Sequence, residues 1–121
     1  MGIQTRYIDK KDYLLVEGQG EFEIDEVTEA LLTLKQEVGS LGKFRIFLDC
    51  WQITAPSKEF DRFVFGKAIA KFFPRPFKVA LYFKEDRITK VSEATALNCG
   101  AQYFVSSDKE QLLEWLIDNK E

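Results

Sequence analysis

Two short runs, FRIFL at 44–48 and FKVALYF at 77–83, constrain the fold more than any other feature of the chain. A strand with one face in water alternates apolar and polar residues. A run that is apolar at nearly every position belongs to a strand covered on both faces. Such cover comes from helices, and the stretches around the two runs have helical spacing. Val27, Ala30, Leu31, Leu34 and Val38 fall at i, i+3, i+4, i+7 and i+11, one face of a helix over 24–38. Asp25 is expected to cap its start, and Gly39 and Gly42 lie past its end.

The strand Phe44–Leu48 is closed by Asp49, and Ser57–Phe73 reads as a second helix stopped by Pro74 and Pro76. A third helix is expected over 87–99, with Gly100 as its stop. Gln102–Val105 is a short strand. Ser107 and Glu110 then form an S-x-x-E capping box ahead of a last helix carrying Leu112, Leu113, Leu116 and Ile117. At the other end, Ile3–Ile8 and Tyr13–Glu17 flank a polar turn and read as a hairpin, which Gly18-Gln19-Gly20 ends. The order is ββαβαβαβα. It predicts an α/β fold, one domain over 1–121, with a mixed sheet of about five strands and about four helices.

Composition removes whole classes of chemistry. The 121 residues contain no histidine, so His-dependent triads and the commonest metal ligand are absent. There is no GxxxxGK[ST] or GxGxxG loop and no Cys/His cluster. No catalytic residue, metal or cofactor is therefore expected. Cys50 and Cys99 form no CxxC pair and are expected to be reduced core thiols. The net charge of −3 argues against nucleic acid. No apolar run approaches the ~18 residues that cross a bilayer, and no signal-type segment opens the sequence, so a cytoplasmic location is expected.

Three segments carry a family resemblance: FRIFLD with Ile53 and the aromatic helix behind it, KVALYFKED at 78–86, and AQYFVSSDKEQLLEWL at 101–116. With their order and the chain length, they resemble the STAS-like group, and within it the divergent SpoIIAA-like (STAS/SEC14) branch. The resemblance implies a STAS/SpoIIAA-like domain and a non-catalytic interaction or regulatory role related to anti-sigma-factor antagonists. Those proteins carry an Asp-Ser-Ser-Gly-like motif after the strand-ending aspartate, and a partner kinase phosphorylates a serine of it. Here CWQITAPSKEF follows Asp49, with one serine and no glycine. Ser57 falls where the motif's own aspartate would stand, so the switch does not carry over directly. The branch's grouping with Sec14-like domains implies an alternative, a carrier of lipid or another small apolar ligand.

In an open α/β sheet the crevice lies beyond the carboxyl ends of the parallel strands. That places 49–57, 84–87 and 106–108 together, with Gly18–Gly20 beside them. Asp49, Glu85 and Asp86 are a candidate acidic cluster for a metal or a basic partner, against the plainer reading of strand-end caps. Asp49, Thr54 and Ser57 form the candidate switch loop. Phosphate on Ser57 would meet a helix N-terminus, and otherwise Ser57 is an ordinary N-cap. The second helix is apolar over more than one face. Its core stripe is expected to be Phe60, Phe63, Val64, Ala68 and Phe72, which leaves Phe65, Ile69 and Phe73 as a second stripe. With Trp51, that second stripe is the candidate surface for a protein partner (a regulator or a second copy of the chain) or an apolar ligand. Lys67, Lys71, Arg75 and Lys78 lie near it, suited to anionic head groups or an acidic partner. The competing reading buries that helix on two sides.

Overall fold

The computed structural model describes residues 2–118. The elements are β1 (Gln4–Asp9), β2 (Leu14–Gly20), α1 (Ile24–Leu41), β3 (Arg45–Ile53), α2 (Glu59–Phe72), β4 (Lys78–Tyr82), a 3₁₀ turn (Glu85–Arg87), α3 (Val91–Asn98), β5 (Gln102–Ser106) and α4 (Lys109–Ile117). The sheet runs β1-β2-β3-β4-β5, with β1 antiparallel to β2 and every other pair parallel. The expected order and mixed sheet are therefore present.

Strand periodicity of two divides the core. Leu14, Val16, Ile46, Leu48, Val79, Leu81, Tyr103 and Val105 face the layer of α1 and α2, where they meet Val27, Leu31, Leu34, Val38, Phe65, Ala68 and Ile69. Phe47 and Ala80 face the other way and pack on Leu112 and Leu116 of α4. Each large aliphatic side chain buried this way contributes ~1.5–3 kcal/mol. On that face α4 contacts β3, β4 and β5, and a polar groove lined by Arg6, Glu17, Asp49 and Trp51 opens on the β1–β2 side.

The polar groove explains why β3 is longer than its apolar run. Asp49 does not close the strand; β3 continues to Ile53, which pairs with Gly20 after a register shift between Glu17 and Gln19. Asp49 and Gln52 belong to the polar open face, so neither has to be buried for the ladder to go on. The Asp49 Oδ1 accepts the Trp51 N–H at 3.2 Å.

Helix ends also depart from expectation. Glu23, not Asp25, caps α1, its Oε1 accepting the Glu26 N–H at 3.0 Å. At the far end Gly42 adopts φ 68° and returns its N–H to the Val38 carbonyl, a left-handed closure that suits glycine. Asp108, one residue past Ser107, caps α4 through the Gln111 N–H. Lys58 holds the N-cap position of α2 without a side-chain hydrogen bond, so Ser57 lies outside the helix and is not its cap. The expected helix over 87–99 is split into the 3₁₀ turn and α3 by extended Ile88 and left-handed Lys90. Cys99 is exposed, not a core thiol, while Cys50 is half-buried against the main core.

α2 and α3 cross closely at Gly66. A Cβ there would stand 2.5 Å from the Ser92 carbonyl oxygen and 2.9 Å from Thr95 Cβ, so only glycine allows this approach.

Candidate functional site

The loop from β3 to α2 is pinned from three directions. The Thr54 N–H donates to the Gly20 carbonyl at 3.1 Å, and Thr54 Oγ1 accepts the Phe22 N–H at 3.1 Å. Arg87 Nη1 donates to the Ile53 carbonyl at 2.6 Å. Ile53 is buried beneath the loop. Ser57 is exposed and has no hydrogen-bond partner among the described residues. Thr54 is thus a brace between loop and sheet, while Ser57 is an open position ahead of α2.

The stripes of α2 differ in part from the sequence expectation: Ala68 is core as expected and Phe72 packs partly against it, but Phe60 and Phe63 turn outward. Phe65, Ile69 and Phe73 are 8%, 0% and 0% exposed and form core, so they offer no surface to a protein partner. Phe60 and Phe63 are 67% and 41% exposed. Their ring centroids lie 5.9 Å apart, and Lys67 Nζ sits 5.5 Å from the Phe63 centroid. Beside them a groove of about 620 Å³ runs between the first turns of α1 and α2, lined by Ile24, Phe60 and Val64 and by Asp25, Glu26, Glu29 and Asp61. The acids suit the positive ends of the two helices. They also set the Phe60 ring among negative charge, while Phe63 lies against Lys67.

Trp51 lies on the sheet, not in a loop after Asp49. It stands on β3 and stacks on Tyr82 at 4.7 Å between centroids and 22° between planes. Both border a polar groove of about 630 Å³ on the open sheet face, with Gln4, Arg6, Glu17, Gln19 and Asp49. Arg6 and Glu17 pair there at 2.8 Å on exposed side chains. Asp49, Glu85 and Asp86 do not assemble, and no group of three potential metal ligands exists among the described residues.

Sequence reasoning did not find a third feature. A cavity of about 90 Å³ lies between the sheet, α1 and α2, walled by residues such as Leu31, Leu48, Phe65, Leu81 and Val105. Tyr103 lines it, and the Tyr103 hydroxyl is buried without a hydrogen-bond partner among the described residues. Ser92 lies close enough to influence that hydroxyl but does not reach hydrogen-bonding geometry. Burial drives the Tyr103 pKa far above its ordinary value, leaving a neutral O–H. Burial, with the neighbouring Asp49 carboxylate, also pushes the Cys50 thiol up to about 12, so it is not a nucleophile near neutral pH. A void depends on how side chains fail to meet across elements, and no local pattern encodes that.

No helix among the described residues is long and apolar enough to cross a membrane. No protein-family model and no curated protein matches the sequence. Solved structures do match. An anti-sigma factor antagonist from Mycobacterium paratuberculosis aligns with a TM-score of 0.61 at 15% identity, over 97% of this chain and 96% of its own. An uncharacterized protein of the DUF3478 family from Shewanella loihica PV-4, described as having a SpoIIAA-like fold, aligns with a TM-score of 0.55 at 17% identity, over 95% and 94%. At such identities the likeness is one of architecture, and its coverage of both partners is nearly complete. The chain has the SpoIIAA-like fold that its sequence resemblance to the STAS-like group implied.

Proposed function

We propose that this chain is a non-catalytic cytoplasmic regulatory module, a single domain that acts by binding another protein through the N-terminal ends of α1 and α2. The observation that carries the reading is the exposed Phe60–Phe63 pair, with Phe60 in a groove lined by Asp25, Glu26, Glu29 and Asp61. Two adjacent exposed aromatic rings offer the anchor area that interfaces concentrate, and the acidic rim selects the charge of what approaches. The partner segment is accordingly basic and amphipathic, with one or two apolar side chains to cover the rings. The anti-sigma factor antagonist among the structural neighbours supports a regulatory role. Co-purification from the native host tests this. A Phe60→Glu/Phe63→Glu protein should lose a partner that wild type and a Phe44→Glu control both retain, and 0.5 M salt should release it. Identical retention by all three proteins contradicts the reading.

The cavity beneath α2 favours a second reading, a carrier of a small apolar ligand. At about 90 Å³ it is smaller than the ~150 Å³ site that takes benzene, so it holds roughly four to six heavy atoms and not a full lipid chain. Repeated extraction of purified protein that yields no small molecule, with no response to added ones, counts against this reading.

A further inference from the structure

The ligand reading leaves open what chemistry the cavity selects, and two of its lining residues bear on that. Tyr103 is 2% exposed, and its hydroxyl is without a partner among the described residues. A buried polar group in that state carries a desolvation cost that a ligand atom can relieve. The second residue is Arg62, which lines the same cavity. Its side chain is only 12% exposed, and its one ionic contact is Nε to Glu59 Oε1 at 3.5 Å, on a carboxylate that is 58% exposed. A guanidinium offers five N–H donors in a planar fork. Among the described residues, both terminal nitrogens of Arg62 are left without an acceptor.

Arg62, Tyr103 and Ser92 all line this one cavity. Glu93 is the negative neighbour of the Tyr103 hydroxyl, and it is already engaged. Its carboxylate accepts the Val105 N–H at 2.8 Å and pairs with Lys90 at 3.4 Å. It therefore does not occupy the Arg62 fork. Exposed Thr89 and Lys90 also line the cavity and mark its route to solvent. The remaining wall is mainly aliphatic and aromatic.

We infer that the cavity binds a short apolar carboxylate, its carboxyl group held by the Arg62 guanidinium and the Tyr103 hydroxyl and its tail among Leu48, Phe65, Leu81 and Val105. A carboxylate matches this set better than a neutral polar group does. It accepts two parallel N–H bonds from the guanidinium and one O–H bond from the phenol, all charge-assisted. An alcohol of the same length leaves most of those donors unmet. The inference rests on the carrier reading and is independent of the Phe60–Phe63 groove.

The test uses the whole protein and two probes that fit the cavity, isobutyrate and isobutanol, followed by methyl and amide NMR shifts. Isobutyrate should shift Leu48, Leu81 and Val105 saturably. The alcohol should bind about tenfold or more weakly, as should isobutyrate to Arg62→Gln. Tyr103→Phe should weaken isobutyrate several-fold, and because it removes an unpartnered hydroxyl its unliganded Tm should stay level or rise. Equal binding of acid and alcohol, or binding unchanged in both variants, overturns the carboxylate assignment while leaving a carrier intact. No shift with either probe overturns both.

Discussion

Phe63 and Phe65 stand two residues apart on α2 and point to opposite sides of it, Phe63 41% exposed and Phe65 8%. Two residues advance a helix by about 200°, so one ring joins the core when the other meets water. This phase decides which aromatic residues can meet a partner. It predicts that Phe60→Glu and Phe63→Glu change unfolding free energy by no more than ~0.5 kcal/mol each, whereas Phe65→Ala costs ~3–5 kcal/mol. Urea denaturation of the three variants checks this. A large loss in Phe63→Glu would mean that the helix is rotated from the described orientation.

Gly66 sets the distance between α2 and α3. Gly66→Ala would normally stabilise a helix by ~1 kcal/mol through propensity. Here the added methyl meets the Ser92 carbonyl oxygen and Thr95, so a net loss of ~1–3 kcal/mol is expected from overpacking. Thermal unfolding that shows a gain would contradict the crossing.

The fold was legible where one periodicity had one solution. Ile46, Leu48, Val79 and Leu81 alternate with Phe47 and Ala80 in apolar runs that only a doubly covered sheet satisfies. α2 was not legible in the same way, because two apolar stripes of similar strength run along it. It is buried by the sheet through Phe65 and Ile69 and by α3 at Gly66, and no count of hydrophobic positions says which stripe faces out. Caps failed by one or two residues. Glu23 and Asp25, or Ser107 and Asp108, could each serve as an acceptor, and backbone conformation chooses between them. The N-cap of α2 instead lies one residue beyond Ser57, at Lys58, whose side chain has no acceptor to offer. The cavity brings Tyr103 of β5 and Arg62 of α2 into one lining across the fold, beyond the reach of any local pattern.

Ser57 lies outside α2, so Ser57→Ala should leave stability within ~0.5 kcal/mol of wild type. Asp108→Ala should cost ~1 kcal/mol, because Asp108 is a hydrogen-bonded cap. Chemical denaturation of the pair separates the two roles, and the reverse ranking would return Ser57 to the cap position.

The Cys50 thiol and the Tyr103 hydroxyl make stability sensitive to alkali. Unfolded, Cys50 releases its proton near its ordinary 9.0 and Tyr103 near 10.0, while both hold their protons to higher pH in the folded protein. Above these values the unfolded state binds fewer protons, so stability falls as pH rises. Their contribution is fully present below pH 9, and the limiting slope is about 1.4 kcal/mol per pH unit for each group. Cys50→Ala should flatten the fall between about pH 9 and 10, before Tyr103 joins. Denaturant midpoints measured from pH 7 to 10.5 test this, and an unchanged slope in the variant would count against burial of the thiol.

What touches Phe60 in the native host tests docking through the α1–α2 groove most directly. A photo-crosslinking benzoylphenylalanine placed at residue 60 should give a discrete covalent adduct with one basic protein segment on irradiation. The same group at Leu97, which is also exposed, should give none. Charge reversal at Asp25, Glu29 and Asp61 together should remove the adduct. No discrete adduct from position 60, or an adduct indifferent to the charge reversal, would contradict a regulatory module that docks through the acidic groove between α1 and α2.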